Sequence, residues 1–308
     1  MSFRGSPPSS PRSTTLLQGF WHGPPLGPLR RACLESFCSL GYEFHLYVYG
    51  PVDVPGGIIL RDAAEIIPFQ ELFYYDNPES EAKDLGPFSD LFRFKLLSER
   101  GGWWIDVDTI CLSPAIPSVD RAWAQQLPEV NSGAIGTGQL ALARGDPLAI
   151  ELYTRCLAKS RTNFRPREVL GPRLLSSVIL EWGLPPNVFG RPETFYPLRF
   201  IEMFKLWLPE FCNEVEEKAR DALFMPVFQS FPQYIGLDFV RLPPAHSYLW
   251  KFCRRYGDFT NRLCYDDEDV RRGTRAYFER NSRWAVRELT TVCGDSAVAE
   301  LGIRARSA

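Results

Sequence analysis

The chain has 308 residues, 45% of them hydrophobic, with 35 Lys and Arg against 37 Asp and Glu. That is enough apolar material for one large core, and the near-balance of charge leaves neither a basic field for nucleic acid nor an acidic solvating tail. Eight cysteines stand at irregular spacing without a C-x-x-C pair, which argues against a zinc site or a disulfide framework and predicts a reduced, cytoplasmic setting; no run reaches the roughly 18 apolar residues of a membrane span.

Residues 1–15, rich in Ser, Pro and Arg, are expected to form a disordered leader. A first strand over 16–21 turns out through His22-Gly23-Pro24-Pro25, at the kind of position where α/β proteins meet a nucleotide base; His22 reads as a ligand or as a polar turn residue. Ala32, Cys33, Leu34, Phe37, Cys38 and Leu40 repeat at a helical period and predict a helix over 29–40, stopped by Gly41. Residues 42–49 are rich in Tyr, Phe and Val and predict a second, parallel strand, and 56–60 a third, followed by Asp62 as a helix cap. This β-α-β-β order predicts an α/β chain with a Rossmann-like mixed sheet flanked by helices, a single domain with helical insertions. Residues 69–83, aromatic and then acidic, carry Pro78 and are expected to lie over the sheet.

The stretch FSDLFRFKLLSERGGWWIDVD, 88–108, organises the rest. Ser89 is positioned to cap a helix whose Leu91, Phe92, Phe94, Leu96 and Leu97 make it almost continuously apolar, and Gly101 can stop it. Trp103, Trp104, Ile105 and Val107 then suit a buried strand. Asp106 and Asp108 at its end would share a face, where they repel unless a cation lies between or beside them; hard oxygen ligands select Mg²⁺ or Mn²⁺. Asp90 and Arg93, three apart on the helix, read as a local ion pair worth about 0.2–0.5 kcal/mol unless the site uses them.

Beyond Asp108, 109–117 leaves the sheet through prolines and 130–143 returns as a glycine-rich strand, where Gly133, Gly136 and Gly138 serve a close approach to a ligand or a flexible hairpin. Asp146 or Pro147 starts a helix running to 157, and Gly171-Pro172 precedes another over 174–182. The insertion at 200–222 is read as core in preference to an acceptor or peripheral membrane surface. Residues 266–289 alternate charge at helical spacing and predict a solvated terminal helix.

The central stretch resembles the DXD-motif glycosyltransferases, the family of yeast initiating mannosyltransferases, bacterial capsule and lipopolysaccharide transferases and clostridial glucosylating toxins. Asp90, Arg93, Gly101, Gly102, Trp103, Trp104, Asp106 and Asp108 match its small-Asp-x-x-Arg, Gly-Gly, aromatic pair and Asp-x-Asp in order and spacing. The resemblance implies a GT-A fold and a metal-dependent, retaining transfer of a hexose from a UDP- or GDP-sugar to a glycan, lipid-linked or protein acceptor, as in polysaccharide biosynthesis. It implies that Trp21, His22 and Gly23 hold the base, that Asp90 and Arg93 hold donor sugar hydroxyls, that Asp106 lies near ribose and sugar, and that Asp106 and Asp108 bind Mn²⁺ or Mg²⁺. Asn131-Ser132-Gly133 resembles a sugar-facing turn, Gly171-Pro172 a donor-side Gly-Pro, and Phe195-Tyr196-Pro197 a later family element. Relatives carry a metal-binding His near Phe228-Gln229; here Gln229 departs from that pattern, leaving His246, Ser247 or Asp238 as substitutes, and Trp250 could stack on the sugar. The resemblance spans 16–256, with 257–308 as a helical extension.

Two other readings remain. Asp106-Val107-Asp108 after a hydrophobic strand suits a haloacid-dehalogenase-type phosphatase, although Ile110 stands where that motif needs Thr or Val. A non-catalytic carbohydrate-binding protein on the same fold is the third.

Overall fold

The computed structural model describes residues 15–76, 83–126, 134–160, 170–228, 230–237, 241–256, 262–280 and 301. In chain order these form β1 (Leu17–Trp21), α1 (Pro28–Ser39), β2 (Phe44–Val48) and β3 (Ile58–Asp62), the order expected from the sequence. A two-stranded ribbon of β4 (Tyr75–Asp76) and β5 (Lys83–Asp84) follows. Next come α2 (Gly86–Arg100), β6 (Gly102–Ile105), β7 (Thr109–Cys111), β8 (Arg121–Ala122), β9 (Gln139–Leu142), α3 (Pro147–Ser160) and α4 (Pro172–Glu181). The chain continues through α5 (Pro192–Phe195), α6 (Cys212–Ala219), β10 (Phe224–Pro226), α7 (Ser230–Tyr234), α8 (Tyr248–Tyr256) and α9 (Asp267–Arg280).

The central sheet has the order β3-β2-β1-β6-β9-β8. β1, β2, β3 and β6 are parallel, whereas β9 runs antiparallel to both β6 and β8. From β1 the chain goes to β2 on one side and returns to β6 on the other, so β1 and β6 flank the switch point of the sheet. Ligands of open α/β sheets bind beyond the carboxyl ends of the strands at such a point. Trp21 ends β1 there, and Asp106 follows the last residue of β6.

Adjacent tryptophans on β6 serve opposite layers, as the strand period requires. Trp104 packs with Phe92 of α2 in the layer that also holds α3 and α4. Trp103 lies against Phe195 and Phe224 in the layer on the α1 side. Both are 1% exposed; burying an indole removes on the order of 200 Å² from water, about 5 kcal/mol of transfer free energy.

Four expectations change. Ser89 does not cap α2: the helix starts three residues earlier, with Pro87 in its first turn, and the Asp84 carboxylate accepts the Gly86 N–H at 2.8 Å. At its other end Gly101 does stop the helix, with φ of 69° and its N–H on the Leu97 carbonyl. The strand does not reach Asp108. β6 ends at Ile105, and the Thr109 N–H bonds to the Asp106 carbonyl, so Asp106 to Thr109 is a turn and strand alternation does not set where the two carboxylates point. The predicted returning strand is broken: β9 covers Gln139–Leu142 and Ile135 forms only an isolated bridge with Gln125, with residues 130–133 outside the described part. Finally, α9 is not solvated all round: Val270, Thr274 and Phe278, at four-residue spacing, are buried, and Val270 and Phe278 join a cluster with Phe204, Leu249 and Phe252. The insertion is core, as read from the sequence, with Met203, Phe204, Leu206 and Trp207 fully buried.

Candidate active site

Arg93 organises the centre. One of its guanidinium nitrogens, Nη1, donates to Asp90 Oδ1 at 2.9 Å, and the other, Nη2, donates to Asp106 Oδ1 at 2.9 Å. The Trp104 indole N–H donates to the same Asp106 oxygen at 2.7 Å, and its ring lies 4.7 Å beneath the guanidinium. The i,i+3 pair on α2 is therefore no solvated surface contact: the Asp90 and Arg93 side chains keep 9% and 5% of their exposure, whereas Asp106 keeps 37%. A charge so placed is held by its partners, because an unpaired one would be strongly disfavoured.

Backbone without Cβ atoms makes room for this cluster. The Asp106 N–H bonds to the Gly138 carbonyl at 2.8 Å, and a Cβ on Gly138 would stand 2.8 Å from Asp106 Oδ2. A Cβ on Gly171, the residue before α4, would meet both Asp90 carboxylate oxygens, at 2.5 and 2.8 Å. On Gly136 it would collide with the Tyr196 hydroxyl. The glycines at 136 and 138 thus admit the protein's own side chains. Gly133 lies outside the described residues.

Tyr196 stands in the Phe195-Tyr196-Pro197 stretch. It is 2% exposed, and its hydroxyl makes no hydrogen bond of normal geometry. Burial pushes its pKa up, the Asp106 charge adds to that, and Arg93 opposes both. It therefore stays neutral beside the acids.

Sequence reasoning also missed Arg30. In the first turn of α1, it is 5% exposed and lies 4.5 Å over the Trp21 ring. Burial lowers its pKa, and Asp108 is the largest influence that raises it. Cys33, one turn further along α1, is pushed well up by burial and then by the same carboxylate. β7, which starts directly after Asp108, packs along α1, and the Asp108 carbonyl accepts the Val227 N–H at 2.9 Å. No periodicity in α1 marks Arg30; only the return of β7 along that helix brings Asp108 to it.

At the end of β1, the Trp21 indole N–H donates to the Pro24 carbonyl at 3.1 Å, and Gly23 has φ of 135°. The His22 ring lies within 5.8–6.4 Å of Tyr49, Phe69 and Tyr74, of which Phe69 is 52% exposed. Asn131, Gln229 and Asp238 fall outside the described residues. His246 packs its ring 5.1 Å from Trp250, and Ser247 Oγ accepts the Trp250 N–H at the start of α8, so both have roles at that helix end.

Two hollows of the described residues lie away from this cluster. One of about 560 Å³ is lined by Glu35, Tyr42, Glu43 and Gly57 near the amino ends of β2 and β3, the edge opposite Asp106. The carboxyl edge is preferred because buried charge, stacked indoles and missing Cβ atoms converge there.

The chain matches no protein-family model and no curated protein. It is similar to the solved structure of the PaToxG glycosyltransferase over 79% of this chain and 86% of that one, at 10% identity and a TM-score of 0.42. A likeness at that level fixes neither family nor activity.

Proposed function

We propose that the chain is a metal-dependent glycosyltransferase that moves a hexose from a nucleoside diphosphate sugar to a hydroxyl of a glycan, lipid-linked saccharide or protein. The observation that carries this reading is the Asp90–Arg93–Asp106 chain of charge, with Trp104 beneath it, at the switch point of a mostly parallel sheet. The sequence resemblance to DXD enzymes supplies the reaction class.

The donor set suits a hard divalent cation. Asp106 Oδ1 already accepts two N–H groups, so an ion would turn to its Oδ2, together with Asp108. The two acids would hold it together with waters and diphosphate oxygens, the usual manner for Mg²⁺. When bound, Mn²⁺ or Mg²⁺ offsets the negative charge that develops on the leaving diphosphate.

The chain's own residues divide the remaining work. Arg93 fixes Asp106, and Trp104 fixes the same oxygen, so the acid is oriented before the donor arrives. Asp106, the most exposed of the three clustered side chains, faces ribose and sugar, and Asp90 with Arg93 forms the floor beneath them. Trp21, His22 and Gly23 meet the base, and Asn131 and Gly171 border the sugar. In the retaining route, the bond from C1 to the phosphate oxygen breaks with its electron pair going to the diphosphate. The acceptor oxygen bonds to C1 on the same face and gives its proton to the departing phosphate oxygen.

A phosphatase would need one of these acids as a free nucleophile, and Asp106 is pinned by two donors. The test is hydrolysis and transfer with a panel of UDP- and GDP-sugars in Mn²⁺. We expect turnover with one donor, and a loss of about a hundredfold or more in Asp108→Ala, the scale of removing a charge-stabilising group. No turnover or binding of any donor by the wild type would favour a non-catalytic binder, and full activity in the variant would sink the reading.

A further inference from the structure

Resting on that reading, we propose that Phe228, Phe200, Tyr234 and Tyr277 form an acceptor track that leads from the Asp108 turn to a hollow between α7 and α9, and that the acceptor is a glycan chain of more than one sugar. The track begins beside the candidate centre. Val227 donates its N–H to the Asp108 carbonyl, and Phe228 follows it with φ of 48°. Holding a bulky residue in that left-handed region costs about 1–2 kcal/mol, and backbone outliers of this kind collect at ligand sites. Further rings continue outward. Phe228 stands edge to face with Phe200 at 5.5 Å, and Phe200 does the same with Tyr234 at 6.1 Å. Tyr234 then stacks on Tyr277 at 5.7 Å, with the planes 16° apart. All four keep exposed surface: Tyr234 is 42% exposed, and Phe200, Phe228 and Tyr277 are half-buried.

The far end is a hollow of about 490 Å³, lined by Ile235, the neighbour of Tyr234, and by Gly273, one helical turn before Tyr277 on α9. A Cβ on Gly273 would collide with the Ile235 carbonyl, so the end of α7 and the face of α9 are held close and the walls are fixed. Arg241, Tyr265, Asp269 and Arg272 bring charged and hydroxyl groups to the same wall. This combination suits a carbohydrate. The face of an aromatic ring is negative, and the C–H bonds on one side of a pyranose are weakly positive, so a sugar lies flat on such a ring. Its hydroxyls then turn to polar groups at the rim, which fix orientation. A single sugar would cover one or two of these rings, whereas a row of four matches a chain.

The test is binding of the full chain to an array of monosaccharides, short oligosaccharides and sugar-free peptides, for the wild type and for Tyr234→Ala, Tyr277→Ala and Tyr234→Phe. The wild type should hold at least one oligosaccharide at least about tenfold more tightly than its component sugars. Tyr234→Ala and Tyr277→Ala should each weaken that binding by about tenfold, the scale of one aromatic stacking contact. Tyr234→Phe, which keeps the ring, should resemble the wild type. A wild type that holds no oligosaccharide, or that holds peptides or single sugars equally well, overturns the track even if the variants fail to fold. So does a folded Tyr234→Ala that binds as the wild type does. Donor hydrolysis by the same wild type in Mn²⁺, measured without acceptor, tests the proposed function separately. Hydrolysis with a blank array leaves that function standing and overturns the track, whereas a glycan held through Tyr234 without turnover or binding of any donor supports the track and overturns the function.

Discussion

Gly171 lies so close to Asp90 that a Cβ on it would stand 2.5 Å from Oδ2 and 2.8 Å from Oδ1 of the carboxylate. The loop before α4 is thereby fitted to the floor of the candidate site, although the two residues are far apart in sequence. Gly171→Ala must displace either the carboxylate or the loop. Because Asp90 is held by Arg93, we expect a loss of about 1–3 kcal/mol in stability, the scale of overpacking. Donor turnover should fall more steeply than the folded fraction does. Urea unfolding alongside initial rates separates the two effects, and unchanged values in both would refute the tight fit.

Arg93→Met would remove the cation between two acids. Asp90, almost wholly buried, would lose its ion pair with Arg93, and breaking such a pair costs about 3–5 kcal/mol. Asp106 can turn towards water and adds little to that figure. We expect a lowered melting temperature and no detectable transfer. Arg93→Lys should rescue neither fully, since one ammonium cannot reproduce a planar fork that spans both carboxylates.

Tyr196 and Gly136 form a packing pair that a double-mutant cycle can isolate. The Tyr196 hydroxyl is buried without a normal hydrogen bond, so Tyr196→Phe should leave stability within about 0.5 kcal/mol of the wild type, or raise it. Gly136→Ala alone should destabilise strongly, because its Cβ meets that hydroxyl. Combined with Tyr196→Phe the penalty should shrink, and strict additivity in denaturant unfolding would refute the contact.

A network in the insertion sets a lower pH limit. Lys205 Nζ reaches Glu214 Oε1 at 2.6 Å and the buried Glu202 at 3.1 Å, and Lys218 bridges the same two acids at 3.2 and 2.6 Å. Burial is the largest single influence on Glu214 and pushes its pKa up, but Lys205 and Lys218 together outweigh it and hold the pKa below the usual carboxylate value. A depressed folded pKa means that the stabilising contribution is complete above the unfolded pKa and is lost as pH falls through the folded one. The melting temperature should therefore drop below about pH 4.5, and Glu214→Gln should flatten that drop while lowering stability at neutral pH. An equal acid slope in the variant would refute the assignment.

Much of this arrangement was legible because local chemistry and fold agreed. Helix period and glycine stops gave α1 and α2 to within a few residues, and the β-branched and aromatic runs gave β1, β2, β3 and β6. Legibility failed where a distant segment decides. Val107 has strand propensity, yet it lies in the turn that Asp106 closes with Thr109, so the shared direction of the two acids does not follow from a period of two. Ser89 has the chemistry of a cap, but Pro87 and Asp84 start the helix earlier. Gly136 and Gly138 suggested room for a ligand and admit Tyr196 and Asp106 instead. Arg30 carried no signal, since its burial over Trp21 depends on the fold that brings α1 to the end of β1.

The two neighbouring indoles of β6 make the candidate centre conditional on the whole fold. Because Trp103 anchors one layer and Trp104 the other, sliding the strand by a single position would exchange their faces and withdraw Asp106 from Arg93. Loosening either blanket of helices should therefore abolish binding of the proposed donor at the outset, leaving no partly melted species that still holds it.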